Sequence, residues 1–99
     1  MITLRKGEIG VVLEFETNLD LTNFNTISIQ VKKPSGEIVT WPASISSNSS
    51  TRAKYVTNGD DFDESGFYLI HVIADSDPDV HRIGNLCRIR VLDLFETTL

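Results

Sequence analysis

The chain has 99 residues, with nine Lys and Arg against fourteen Asp and Glu for a net charge of -5, and is 40% apolar and 23% charged. Those values describe one globular domain over residues 1–99, able to bury about 65% of its unfolded surface in a single core. They exclude a membrane span, since the longest apolar run is the four residues from Phe67 to Ile70, and an internal disulfide or cysteine-based zinc site, since Cys87 stands alone. The acidic balance argues against general affinity for nucleic acid, and nothing near Met1 reads as a secretion signal.

Taken in chain order, residues 2–4 read as a short first strand. Residues 11–17 alternate, with Val11, Leu13 and Phe15 on one face and Glu14 and Glu16 on the other. Residues 20–25 allow one helical turn. Residues 26–33 alternate again, with Ile27, Ile29 and Val31 inward, and Pro34-Ser35-Gly36 then reverses the chain, because Pro presets its φ and Gly accepts φ > 0. Residues 37–41 form the returning strand, which Pro42 ends. The polar run 44–51 has the composition of a mobile connection, 51–57 reads as a further strand, and 60–65 allows another turn. Residues 67–74 are the most apolar segment, 75–79 a hairpin loop by composition, and 80–92 the longest run of strand formers, with Gly84 marking a bulge or break. About seven short strands so spaced predict a β-sandwich.

Residues 62–70, Phe62-Asp63-Glu64-Ser65-Gly66-Phe67-Tyr68-Leu69-Ile70, resemble the tyrosine-corner segment of immunoglobulin-like domains, where an acidic turn and a Gly precede a Tyr entering the penultimate strand. The resemblance implies that the Tyr68 hydroxyl bonds back to the corner backbone, giving a buried ring a partner for its polar end. It also puts Ile70 where antibody domains carry their second cysteine, so that packing alone joins the sheets, in keeping with a reducing compartment. With Tyr68 inward, the pleat sends Ile70, Val72 and Ala74 inward and Phe67, Leu69, His71 and Ile73 outward. On the next strand Cys87, Ile89 and Val91 point in, and Leu86, Arg88, Arg90 and Leu92 point out. The expected fold is therefore all-β: an immunoglobulin-like sandwich of about seven antiparallel strands without a disulfide.

An outward row holding Phe67, Leu69 and Ile73 is unusual for a domain of this size standing alone. Covering each such side chain is worth ~1.5–3 kcal/mol, so the row could drive association. Two covers are open: the chain's own tail, Leu94-Phe95-Glu96, or first strand, and a partner. Arg88 and Arg90, with Arg82, form the main basic cluster, suited to acidic groups on a neighbouring subunit.

The remaining chemistry is sparse. Asp75, Asp77 and Asp79 could suggest a calcium loop, but Val80 and Leu86 stand where an EF-hand needs Gly and Glu, so a solvated hairpin is expected. Asp60, Asp61, Asp63 and Glu64 read as a turn with one carboxylate accepting backbone N–H groups. His71 and His81 lie on successive strands without facing each other, which disfavours a shared metal. No nucleophile elbow or phosphate loop is present, and Cys87 reads as a small core residue. Trp41 and Tyr55 offer stacking faces for a sugar, against the plainer reading that they pack on the sheet. The chain is expected to be no enzyme and to hold no cofactor or metal.

Leu4-Arg5-Lys6-Gly7-Glu8-Ile9-Gly10, Lys33-Pro34-Ser35-Gly36-Glu37 with Val39-Thr40-Trp41, and Ser65-Gly66-Phe67-Tyr68 with Ile89-Arg90-Val91 together form a pattern similar to small immunoglobulin-like virion proteins of tailed bacteriophages, including the N-terminal domain of baseplate upper proteins. The resemblance implies a structural or assembly protein of the virion (capsid accessory, neck, or baseplate or tail adaptor), made in the host cytoplasm. Its partners would be other virion proteins, with self-association a further option, and neither nucleic acid nor membrane. The partner-binding residues expected are Phe67, Leu69, Ile73, Arg88 and Arg90. The alternative is a module recognising a host-surface glycan or receptor.

Overall fold

The computed structural model describes residues 2–76 and 80–95. Nine strands are described: β1 (Ile2–Arg5), β2 (Val12–Glu16), β3 (Thr26–Lys32), β4 (Ile38–Pro42), β5 (Ser44–Ile45), β6 (Arg52–Val56), β7 (Gly66–Ser76), β8 (Val80–Ile83) and β9 (Cys87–Leu92). The larger sheet runs β1-β9-β7-β3-β4, with β8 beside the far end of β7, and the smaller runs β2-β6-β5. The two form an immunoglobulin-like β-sandwich. The strand count exceeds the expected seven for two local reasons. Residues 80–92 split where Gly84 leaves the ladder and donates its N–H to the Val72 carbonyl at 2.8 Å. The serine-rich run is built into the fold, with β5 pairing with β6 and the buried Ser46 hydroxyl donating to Glu14 Oε1 at 2.9 Å. One pairing departs from the expected antiparallel pattern, since β1 lies parallel to β9. The anticipated helical turn near Asp20 is a single 3-10 turn, Leu21–Asn23, capped by the Asp20 carboxylate accepting from Thr22 N at 3.2 Å.

Strand alternation builds the core. Leu13 and Phe15 of β2 and Ala53 and Tyr55 of β6 face Ile29, Val31, Trp41, Tyr68, Ile70, Val72, Ala74, Ile89 and Val91 of the larger sheet, and all are buried. Four rings run through one end of this core. Trp41 stacks on Tyr55 at 4.6 Å, and Phe62 meets Trp41 edge-on at 5.5 Å and Tyr68 at 5.0 Å. Each such pair adds ~0.5–1.5 kcal/mol beyond burial. Phe62, in a turn, is as buried as any strand residue because it plugs the gap between the sheets beside the corner.

That corner has the predicted geometry. The Tyr68 hydroxyl accepts from Glu64 N at 3.0 Å and donates to the Glu64 carbonyl at 3.2 Å, and burial pushes its pKa up. The β3–β4 turn closes over it. Ser35 donates through its N–H (3.0 Å) and its hydroxyl (3.1 Å) to the Glu64 carboxylate. Gly66, at φ +126°, lies so near Pro34 that a Cβ there would stand 2.9 Å from the proline Cβ. The Lys33-Pro34-Ser35-Gly36-Glu37 and Ser65-Gly66-Phe67-Tyr68 motifs, distant in sequence, are thus two halves of one structural clamp.

Candidate functional site

The outer face of the larger sheet is where cationic side chains and apolar surface coincide. Register sets its rows. Phe67 stands opposite Arg90, which stands opposite Thr3 of β1; two residues along, Arg88, Leu69, Lys32 and Ile38 line up across four strands; next come His71, Gln30 and Thr40; and then Ile83, Ile73 and Ser28. Phe67 is 43% exposed, with the guanidinium carbons of Arg88 and Arg90 at 5.0 and 5.9 Å from its ring centre. Both cations lie within reach of the ring's negative face. Leu69 and Ile73 are half-buried, whereas Ile38 (59% exposed) and Leu86 (63%) stand out. Ile38, Leu69 and Leu86, with Gln30, Lys32 and His71, wall a groove of about 170 Å³. His71 is held by Gln30, its Nε2 lying 2.7 Å from Oε1. No carboxylate occupies the Phe67 or Leu69 rows.

The outer face of the smaller sheet differs. Glu14 stands opposite Lys54 and Glu16 opposite Arg52, the second pair in contact at 3.3 Å. Each of these cations faces a carboxylate across the strands, as expected of a solvated surface.

The structure therefore brings Phe67, Leu69, Ile73, Arg88 and Arg90 to one face. It adds Lys32, Ile38 and Ile83, which sequence reasoning missed. Alternation through β4 carried the signal for Ile38, because an inward Trp41 makes Ile38 and Thr40 outward. Two expectations fail here. Arg82 stands opposite Ala74 and so has the parity of the inner face, apart from Arg88 and Arg90. Leu92, expected outward, is 2% exposed; it stands in register with Arg5, whose guanidinium donates to the Asp93 and Leu94 carbonyls just past the strand end. β1 extends the sheet edge, and Leu94 and Phe95 are exposed. Glu96 lies outside the described residues.

The other candidates are used by the fold. Asp61 Oδ2 accepts from the Tyr55 hydroxyl at 2.6 Å and from Asn58 N at 2.7 Å. Burial, and then this bond, push the Tyr55 pKa up to about 12. Asp63 pairs with Lys33 at 2.8 Å and Glu64 holds Ser35. Asp75 pairs with His81, while Asp77 and Asp79 lie outside the described residues. Among the described residues no three His, Cys, Asp or Glu side chains come together as a metal site. Cys87 packs against the core at a side cleft between β2 and β7. Trp41 and Tyr55, buried against each other, leave no aromatic platform for a sugar.

No protein-family model matches the chain, and no curated protein matches it in sequence. Among solved structures it is similar to CopC from Methylosinus trichosporium OB3b, with a TM-score of 0.61 over 98% of this chain and 88% of that one, at 10% identity. The functional expectation is corrected by this finding: the solved structure it resembles is a CopC, which gives a virion role no support, so the role as a tailed-phage structural subunit is withdrawn. The glycan alternative goes with it, its aromatic contacts being buried. At 10% identity the likeness is one of fold alone: the chain is a β-sandwich of the kind seen in CopC.

Proposed function

We propose that the protein is a binding domain without chemistry of its own, which takes an acidic and partly apolar protein segment on the outer face of the β1-β9-β7-β3-β4 sheet. The observation that carries this reading is the pair of guanidiniums over the exposed Phe67, beside an apolar groove that Lys32 borders. In an acidic protein, three cations gathered around apolar side chains form a patch that attracts negative charge and has oily surface to cover. Arg presents a planar fork suited to carboxylates, and Phe67 orients that fork from below.

Fluorescence anisotropy with labelled peptides of alternating Glu, Leu and Phe tests the reading, a Lys-for-Glu peptide serving as control. The acidic peptide is expected to bind, with affinity falling as salt rises, and the Arg88→Glu/Arg90→Glu variant to lose at least about tenfold in affinity, the equivalent of ~1.4 kcal/mol. Equal binding of both peptides, or none, would remove the face from consideration.

A further inference from the structure

We infer that the natural occupant of the groove is the carboxyl-terminal segment of a second copy of this chain, an inference that rests on the binding role proposed for the same face. β9 ends at Leu92, and the next apolar residues, Leu94 and Phe95, stand in solvent, Phe95 at 96% exposure. Adjacent large apolar side chains in water are surface that association covers. Their root is pinned. The Arg5 guanidinium donates to the carbonyls of Asp93 at 3.0 Å and Leu94 at 3.2 Å, and the Lys6 ammonium lies 3.6 Å from the Asp93 carboxylate. An apolar pair projected from a fixed root loses less freedom on docking than one on a loose tail. In sequence the pair runs straight into an acid, Leu94-Phe95-Glu96, while Asp93 stays with Lys6 at the root. That order complements a groove of Ile38, Leu69 and Leu86 bordered by Lys32 and Arg88.

Charge selects this arrangement over a symmetric one. Two copies meeting face to face would set Lys32 and Arg88 against their own images, which repel. The groove instead meets a different part of the second copy. Each copy offers one groove and one segment, so the contact is heterologous and builds rings or open chains.

Sedimentation equilibrium of the full chain at increasing concentration tests this, together with Leu69→Glu, which blocks the groove, and Phe95→Glu, which blocks the segment. The unaltered chain is expected to gain weight-average mass with concentration, while each variant alone stays monomeric. An equimolar mixture of the two variants regains association, because the intact groove of one meets the intact segment of the other, and its mass stops at about twice the monomer since neither remaining end can bind. Ile38→Glu replaces Leu69→Glu if melting shows that the latter perturbs the fold. An unaltered chain that stays monomeric throughout, variants that associate like it, or a mixture without gain would each overturn the inference. If the chain is monomeric yet the Glu-Leu-Phe peptide still binds, only the second-copy inference falls; if the peptide fails too, the binding role falls with it.

Discussion

Lys33 continues the inward parity of Ile29 and Val31 one residue beyond β3, so the backbone delivers an ammonium to the rim of the core, where it is 8% exposed. The corner satisfies it through the Asp63 carboxylate at 2.8 Å, the Asp60 carbonyl at 3.4 Å and Glu37 at 3.9 Å. The hydrogen bond from Lys33 is the main cause holding Asp63 below the usual carboxylate range, and the same bond raises Lys33 above its ordinary value. The signs follow from linkage. The Asp63 contribution is present above the ordinary carboxylate pKa and is lost as pH falls through the lowered value. The Lys33 contribution is present below the ordinary ammonium pKa and is lost as pH rises through the raised one. With Asp63 half exposed, the pair is worth at most ~1 kcal/mol. Lys33→Met is expected to lower the neutral-pH melting temperature by no more than about 4–8 °C and to flatten the acid limb of the curve of Tm against pH. An acid limb identical to that of the unaltered protein, recorded by differential scanning calorimetry, would show that the pair is not formed.

At the scale of elements, β7 has two faces with different tasks. Tyr68, Ile70, Val72 and Ala74 fill the core, while Phe67, Leu69, His71 and Ile73 form the midline of the outer face. Ile70→Ala should cost ~2–5 kcal/mol through the cavity it leaves. Phe67→Ala should cost no more than ~1 kcal/mol, the worth of an exposed cation–π contact. Denaturant unfolding of the two variants distinguishes these tasks, and equal losses would mean that Phe67 serves the core. The parity of β7 could be read from the sequence because period-two alternation and the Tyr corner point the same way. Phe62 and Lys33 could not, because their burial depends on what other elements place around them, the inter-sheet gap and the Asp60–Gly66 turn; nor could Leu92, whose burial runs against the alternation of its own strand. The parallel docking of β1 on β9 was likewise hidden, since a four-residue strand carries no mark of its partner's direction. Of the candidate face, the β7 and β9 residues were read directly; alternation marks Lys32 and Ile38 as outward, but which strands set them beside Leu69, and where β8 adds Ile83, is fixed by register across strands.

The whole molecule separates its charges. Acidic side chains gather at turns and ends, where Asp61, Asp63 and Glu64 brace the fold; the smaller sheet sets its outer cations opposite carboxylates; and the larger sheet carries its cations around apolar residues. That asymmetry is the basis of the binding role, and it was only partly visible in a linear sequence, where Lys32 lies far from Arg88 and Arg90. The most direct measurement is amide chemical-shift mapping of the full chain during titration with the acidic Glu-Leu-Phe peptide. Shifts concentrated at Lys32, Ile38, Phe67, Leu69, His71, Leu86 and Arg88 are the predicted result. Shifts on β2, β5 and β6, or none at saturating peptide, would contradict it.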